Sequence, residues 1–341
     1  MIKTSLNKLP LGKQSRLKIL WLFAFLAVFT PSYGQAADAA KIKRIELDNG
    51  DVYEGPIVDE ARTGHGRYEW QEGFVYEGDF LNNKMQGQGI YTWPDARVYT
   101  GSFVDDHREG IGKLMWPNGD SYEGAFKSDE PHGQGTFRWA NQDQYVGEFQ
   151  QGSRTGSGEF RWHTGETYLG AFVEGVLEGR GQFVWADGRS YQGLFAEGLK
   201  SGYGTYSWPN GNKYEGQFAQ DARTGLGTFY WRDDTVYRGE FVNNEMHGFG
   251  VKLPTDGMAE FQQWQGGNLV WSQELEAENR CKLELEDRTW MFSGDQCING
   301  IAHGRGIAVS LDGKFYVVGG RFVLGHLVEG ELKILRLENE V

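Results

Sequence analysis

At 341 residues the chain has room for two average domains or one repeat array, and its 50 glycines, 14% aromatic residues and only 8 prolines exclude a mainly helical or mainly disordered architecture. The formal net charge of −13 argues against nucleic acid and anionic bilayers as partners, because an acidic surface is repelled by phosphate. Basic or neutral partners fit better.

In chain order, the first element is unlike the rest. Lys3, Lys8, Lys13, Arg16 and Lys18 precede the apolar run Ile19–Phe29, and small residues follow from Ser32 to Ala40. This is the layout of a secretory signal peptide, and the apolar core is shorter than the roughly 20 residues a bilayer span needs. Residues 1–36 are therefore expected to be a cleavable signal peptide that sends the protein to the periplasm or the outside. An inner-membrane signal anchor is the alternative. Removing this segment takes away cations only, so the remainder is more acidic still.

From Tyr53 onward a period of 23 governs the chain. Tyr53, Tyr76, Tyr99, Tyr122, Tyr145, Tyr168, Tyr191, Tyr214 and Tyr237 recur at that spacing, each followed two residues later by glycine. Eleven residues after each tyrosine stands a Gly-x-Gly, from Gly64/Gly66 to Gly248/Gly250, and tryptophans from Trp70 to Trp231 keep the same period. Pro254 takes the tryptophan position of the ninth unit and marks the end of the array. Within a unit, Tyr76, Gly78 and Phe80 alternate with Glu77 and Asp79, and Gly89, Tyr91 and Trp93 alternate with Gln88, Ile90 and Thr92. A period of two predicts strands. Pro117-Asn118-Gly119, Ala186-Asp187-Gly188 and Pro209-Asn210-Gly211 supply tight turns between units. The glycines at the third and fourteenth positions of a unit are expected to leave room for aromatic rings.

The pattern Tyr76-Glu77-Gly78-Asp79-Phe80, then Gly87-Gln88-Gly89-Ile90-Tyr91-Thr92-Trp93, closely resembles the MORN repeat, over residues 53 to about 254. That resemblance implies an elongated, single-layer, curled antiparallel sheet of β-hairpins. It also implies a role in protein association, often self-association, with membrane-lipid contact proposed for some members. The fold class expected is thus all-β: a half-repeat plus nine repeats over 41–258, and a divergent β-rich C-terminal cap over 259–341. The half-repeat is read from Ile45, Leu47 and Gly50, one period before Tyr68, Trp70 and Gly73. In the tail, Phe292-Ser293-Gly294, Gly304-Arg305-Gly306 and Leu311-Asp312-Gly313 echo the repeat, and Glu274–Arg280 reads as a polar linker or one helical turn. An independent domain is the alternative there. Cys281 and Cys297 are the only cysteines and, in an exported chain, are expected to form a disulfide.

Catalytic, cofactor and metal chemistry finds no footing in the pattern. Each Gly-x-Gly lacks the Lys-Ser/Thr of a phosphate-binding loop. His65, His107, His132, His163, His247, His303 and His326 are dispersed, and Glu54, Glu77, Glu123 and Glu215 recur on the polar strand positions. The aromatic face is the candidate partner-binding groove: Tyr76, Phe80, Trp93, Tyr99, Trp116, Tyr122, Trp139, Tyr145, Trp162, Tyr168, Trp185 and Trp208. The expected function is a non-enzymatic scaffold for protein partners, itself included, recognised through this groove or through loops such as Val104–Glu109. Recognition of glycan or peptidoglycan, or of a membrane surface, is the alternative use of the same rings, which also have to pack against one another.

Overall fold

The computed structural model describes residues 42–275, 281–283, 285, 286 and 288–335. The signal segment expected at 1–36 lies outside these, as do residues 276–280 of the polar stretch. Among the described residues there is no helix; 21 strands form one antiparallel sheet and a separate five-stranded sheet follows. Every strand of the large sheet pairs only with its neighbours in sequence, from Lys43–Glu46 on Val52–Gly55 to Glu260–Gln265 on Asn268–Glu274. The sheet is open, as the hairpin period predicts.

One unit shows why this sequence makes this hairpin. Strand Gln144–Gln150 pairs with Ser153–Arg161 in the register Tyr145↔Phe160 and Gly147↔Gly158. Gly147 also pairs with Gly135 of the preceding unit, so glycines run across the sheet as a continuous column. The Tyr145 ring lies on that column. A Cβ on Gly147 would sit 2.5 Å from the tyrosine hydroxyl and 2.6 Å from the Cα of Gly158, so the space predicted for rings is there. The hydroxyl itself donates to the Glu148 carbonyl at 3.0 Å. After Gly147 the register jumps to Glu148↔Thr155, leaving Gly156 and Ser157 in a bulge, with Gly156 at φ +57°. The first glycine of each Gly-x-Gly therefore serves backbone geometry, and the second serves the ring.

Two kinds of turn close the meander. Between units, Gly119 N–H donates to the Trp116 carbonyl and Trp116 N–H to the Asp120 carbonyl, with only Gly119 of the Pro-Asn-Gly loop at positive φ. That is a type I turn with a glycine bulge rather than a turn with two left-handed residues. Within units the reverse holds: Asn82-Asn83, Asp105-Asp106 and Gln151-Gly152 each have both φ values positive. Turns on both edges are tied to the next unit. Asp129 Oδ1 accepts the Arg108 amide at 2.9 Å, and Asp143 Oδ1 accepts the His163 amide at 2.8 Å. These bonds satisfy turn amides that a solitary hairpin would leave to water.

The ends depart from the period for local reasons. In the first unit Pro56 stands where later units carry a donor; the first strand stops at Gly55, and Ile57–Val58 pairs with Ala61–Arg62 as a separate two-stranded ladder. After the ninth unit one more hairpin continues the sheet. Glu260 holds the tyrosine position, Gln262 the glycine position and Trp264 the phenylalanine position, so Trp264 pairs with Gly248 and closes the ring column against Tyr237 at 6.2 Å. Phe261 now points to the opposite face. There it joins Phe249, Val251, Met291, Ile307, Val309 and Tyr316 in a second core.

That core is where the C-terminal sheet stacks, on the back of the last hairpins rather than at the end of the array. Phe292 lies over the Gly294↔Gly306 pair as a tyrosine does in the repeats, and the additional residue before Gly304 falls in the bulge after Gly294. The other face of this sheet packs Trp290, Phe292, Val317 and Phe322 beneath Cys281, Leu283 and Leu285. Cys281 and Cys297 are joined by a disulfide, with Cα atoms 5.5 Å apart. Reduction of that bond should loosen Cys281, Leu283 and Leu285 from the sheet and cost it about 3 kcal/mol, the chain-entropy value for a loop of this size. Thermal melts with and without dithiothreitol, followed by near-ultraviolet circular dichroism, measure this; an unmoved melt would assign the bond no such role.

Candidate functional site

The aromatic face resolves into two columns of rings with different exposure. In the first, each repeat tyrosine from Tyr76 to Tyr214 sits between the phenylalanine four residues on and that of the next unit: Tyr145 lies 5.2 Å from Phe149 at 85° and 5.1 Å from Phe172 at 82°. Such edge-to-face pairs contribute about 0.5–1.5 kcal/mol each beyond burial. The tyrosines from Tyr76 to Tyr237 are wholly buried, and Phe80 retains 4% of its surface. Of the residues expected to line the groove, Tyr76, Phe80, Tyr99, Tyr122, Tyr145 and Tyr168 are buried in the core of the sheet. Alternation along a strand tells which face a residue occupies and says nothing of what arches over it.

The second column is the accessible one. Trp116, Phe137, Trp139, Phe160, Trp162, Phe183 and Trp185 stack in a tilted series, with centroids 4.4 Å apart for Phe137 and Trp139 and 5.1 Å for Trp139 and Phe160. The tryptophans, including Trp93 and Trp208, are half-buried and pack on the first column while keeping an open side.

The residue just after each within-unit turn lies beside both columns, and here the period of 23 hides a variation. Cations occupy this place in the first, third, fifth, seventh and eighth units: Arg62, Arg108, Arg154, Lys200 and Arg223. Met85, Pro131, Leu177 and Met246 fill it elsewhere, and Met85, Leu177 and Met246 pack against the same core. The Arg154 guanidinium is 5.6 Å from the Trp139 ring centre, 5.7 Å from Tyr145 and 5.2 Å from Phe160; Arg223 stands 5.5 Å from both Trp208 and Tyr214. Burial among these rings holds the Arg154 and Arg223 pKa values below the usual arginine range. At the N-terminal end, a hollow of about 220 Å³ is lined by Ile45, Leu47, Tyr53, Arg62 and Tyr68 among others.

The remaining candidates do not converge. His107 meets Asp129 at 2.7 Å, an ion pair that raises the imidazole pKa, and His163 meets Asp143 at 2.7 Å, but these pairs belong to different turns. No group of histidine, cysteine and carboxylate side chains able to hold a metal occurs among the described residues. Glu54, Glu77 and Glu123 are exposed, while Glu215 accepts from Lys213 at 2.8 Å and from Tyr230 at 3.0 Å. The back face is less polar than alternation suggests, with Ile111, Leu169 and Val146 exposed on it. No helix of the described residues is long and apolar enough to cross a membrane.

An open sheet of identical hairpins whose rings form both its core and its accessible face defines a repeat scaffold. The chain belongs to the MORN repeat family: the MORN repeat matches residues 76–95, 99–121, 122–144, 145–167, 168–188, 191–213, 214–236 and 237–257. Proteins of this family are generally non-catalytic scaffolds for protein or membrane interaction. No curated protein matches the chain. Among solved structures it is similar to the TCP domain of SAS-4 (dCPAP) of Drosophila melanogaster in complex with a proline-rich motif of Ana2, at 11% identity, TM-score 0.29, over 54% of this chain and 94% of that one. A mutant TCP10 domain of Danio rerio CPAP is similar at 12% identity and TM-score 0.28, over 68% of this chain and 99% of that one. Likenesses this loose carry no functional argument.

Proposed function

We propose that the protein is an exported, non-catalytic scaffold, periplasmic or secreted, that holds protein partners, its own copies included, against the tryptophan column. The observation that carries this reading is the row of half-exposed tryptophans from Trp116 to Trp208, stacked through the rings of Phe137, Phe160, Phe183 and Tyr206 on a hydrogen-bonded sheet. Large aromatic side chains already held in place lose little conformational freedom on binding, so contact area there converts efficiently into affinity. The cationic N-terminus of the sequence and the Cys281–Cys297 bond are the features that favour an oxidising compartment outside the cytoplasm.

The test is site-specific photo-crosslinking in intact cells, followed by fractionation and mass spectrometry. A photoreactive residue replacing Trp162 should give partner adducts recovered with envelope or medium, while one replacing Leu169 on the back face should give few. Adducts from position 169 alone, or from neither, would remove the tryptophan column from consideration.

A further inference from the structure

The cations beside the tryptophans are not required by packing, since Met85, Leu177 and Met246 fill the same place in other units. They are not all neutralised either. Asp129 reaches Arg108 at 3.2 Å and Asp221 reaches Lys200 at 2.7 Å. Arg62, Arg154 and Arg223 instead face turns in which the same position is Asn83, Gly175 and Asn244, and among the described residues no carboxylate pairs with them. Arg154 donates to the Gly175 carbonyl at 3.1 Å, and the Arg223 guanidinium donates to the Asn244 carbonyl at 2.6 Å. None of their other guanidinium nitrogens is a fully buried atom left without a partner, so these half-buried groups keep contact with solvent beside the half-exposed tryptophans. In a chain with 47 acidic residues, leaving these cations without a carboxylate is notable. A partly desolvated guanidinium gains more from an anion than one in bulk water.

From this juxtaposition of unpaired guanidinium groups and open tryptophan faces we propose that the column binds an extended, acidic polypeptide segment: its carboxylates meet Arg62, Arg154 and Arg223, and its apolar side chains lie on the intervening tryptophans. This rests on the tryptophan column being the binding face. A polypeptide fits better than a phosphate polymer or an anionic bilayer, because the cations are isolated and the rest of the surface is acidic. Arg154 lies four units from Arg62 and three from Arg223. At two strands per unit these spans are roughly 38 and 29 Å, covered by about twelve and about nine residues of extended chain.

The probe is a fluorescent synthetic peptide with three glutamates, about twelve and then about nine residues apart, and leucine, phenylalanine and proline between, compared with its all-glutamine counterpart by anisotropy against the full chain. The glutamate peptide should bind, the glutamine peptide about tenfold more weakly, and the double variant Arg154→Met/Arg223→Met should lose about as much for the glutamate peptide. Methionine is what the chain itself places at 85 and 246, so this variant should keep its thermal midpoint. Lys200→Met, whose partner charge Asp221 is already present, should weaken binding less. Equal affinity for both peptides, or undiminished binding by the arginine variant, overturns the acidic chemistry while leaving the face intact if Trp162→Ala still abolishes binding. Failure of both peptides, or retention only on vesicles containing phosphatidylserine, also overturns it. The crosslinks from position 162 then report separately whether the face itself is used.

Discussion

Gly147→Ala should break the array at its middle and cost about 3 kcal/mol, the upper part of the range for forcing an atom into a packed core. The added carbon would stand 2.5 Å from the Tyr145 hydroxyl and 2.6 Å from the Cα of Gly158. Neither can give way: the ring is gripped by Phe149 and Phe172, and the Cα belongs to the facing strand. Gly152 provides the contrast. A Cβ there meets nothing within 4 Å, and only the φ of +77° resists it. Alanine at 152 should therefore cost about 1 kcal/mol, and asparagine close to nothing, since Asn83 and Asn244 hold the same turn position at φ +71° and +74°. Because strands pair only with sequence neighbours, stability adds up unit by unit. The Gly147 variant should melt in two steps, seen by circular dichroism and by protease cleavage near residue 147. A single unshifted transition would mean that the ring column has more slack than its contacts allow.

Much of this fold was legible because the residues that build it repeat. Tyr-x-Gly with a second glycine eleven residues beyond it gives strand, face and register together, since only a ring crossing two facing glycines demands both. The left-handed turns inside each unit were not legible. Their first residue is Asn82, Asp105, Ser128, Gln151 or Glu174, and such variety hides a common φ that the hairpin geometry imposes. The stacking of the C-terminal sheet was not legible either. The middle residue of Gly-x-Gly is Phe249 where the second core covers the back face, but Ile111 holds the same place in the open, so an apolar residue there does not announce a covering layer. In the candidate site, alternation placed the tyrosines and tryptophans on one face but could not separate core from surface, because burial depends on the neighbouring units' phenylalanines. The cations are not legible at a period of 23, because four of the five recur every second unit.

Raising the pH from 10 to 12 should unfold the array cooperatively, and the sign follows from which form of tyrosine the fold accepts. Burial beside Phe103, Phe126, Phe149 and Phe172 pushes the hydroxyls of Tyr99, Tyr122, Tyr145 and Tyr168 up to about 12, and those of Tyr76, Tyr191, Tyr214 and Tyr237 higher. In the unfolded chain the same groups ionise near 10. Below pH 10 both states hold the proton and stability is complete. Between 10 and 12 the unfolded state releases protons that the folded state keeps, so each such tyrosine steepens the loss by up to about 1.4 kcal/mol per pH unit. Several acting together make the transition sharp, since every ring is shared by two units and one ionised column member exposes the next. Tyrosinate absorbance should therefore rise in step with the loss of circular dichroism. Tyrosines that titrate smoothly around 10 while the sheet stays intact would show that water reaches the column, and the division into a closed tyrosine core and an open tryptophan face would have to be redrawn.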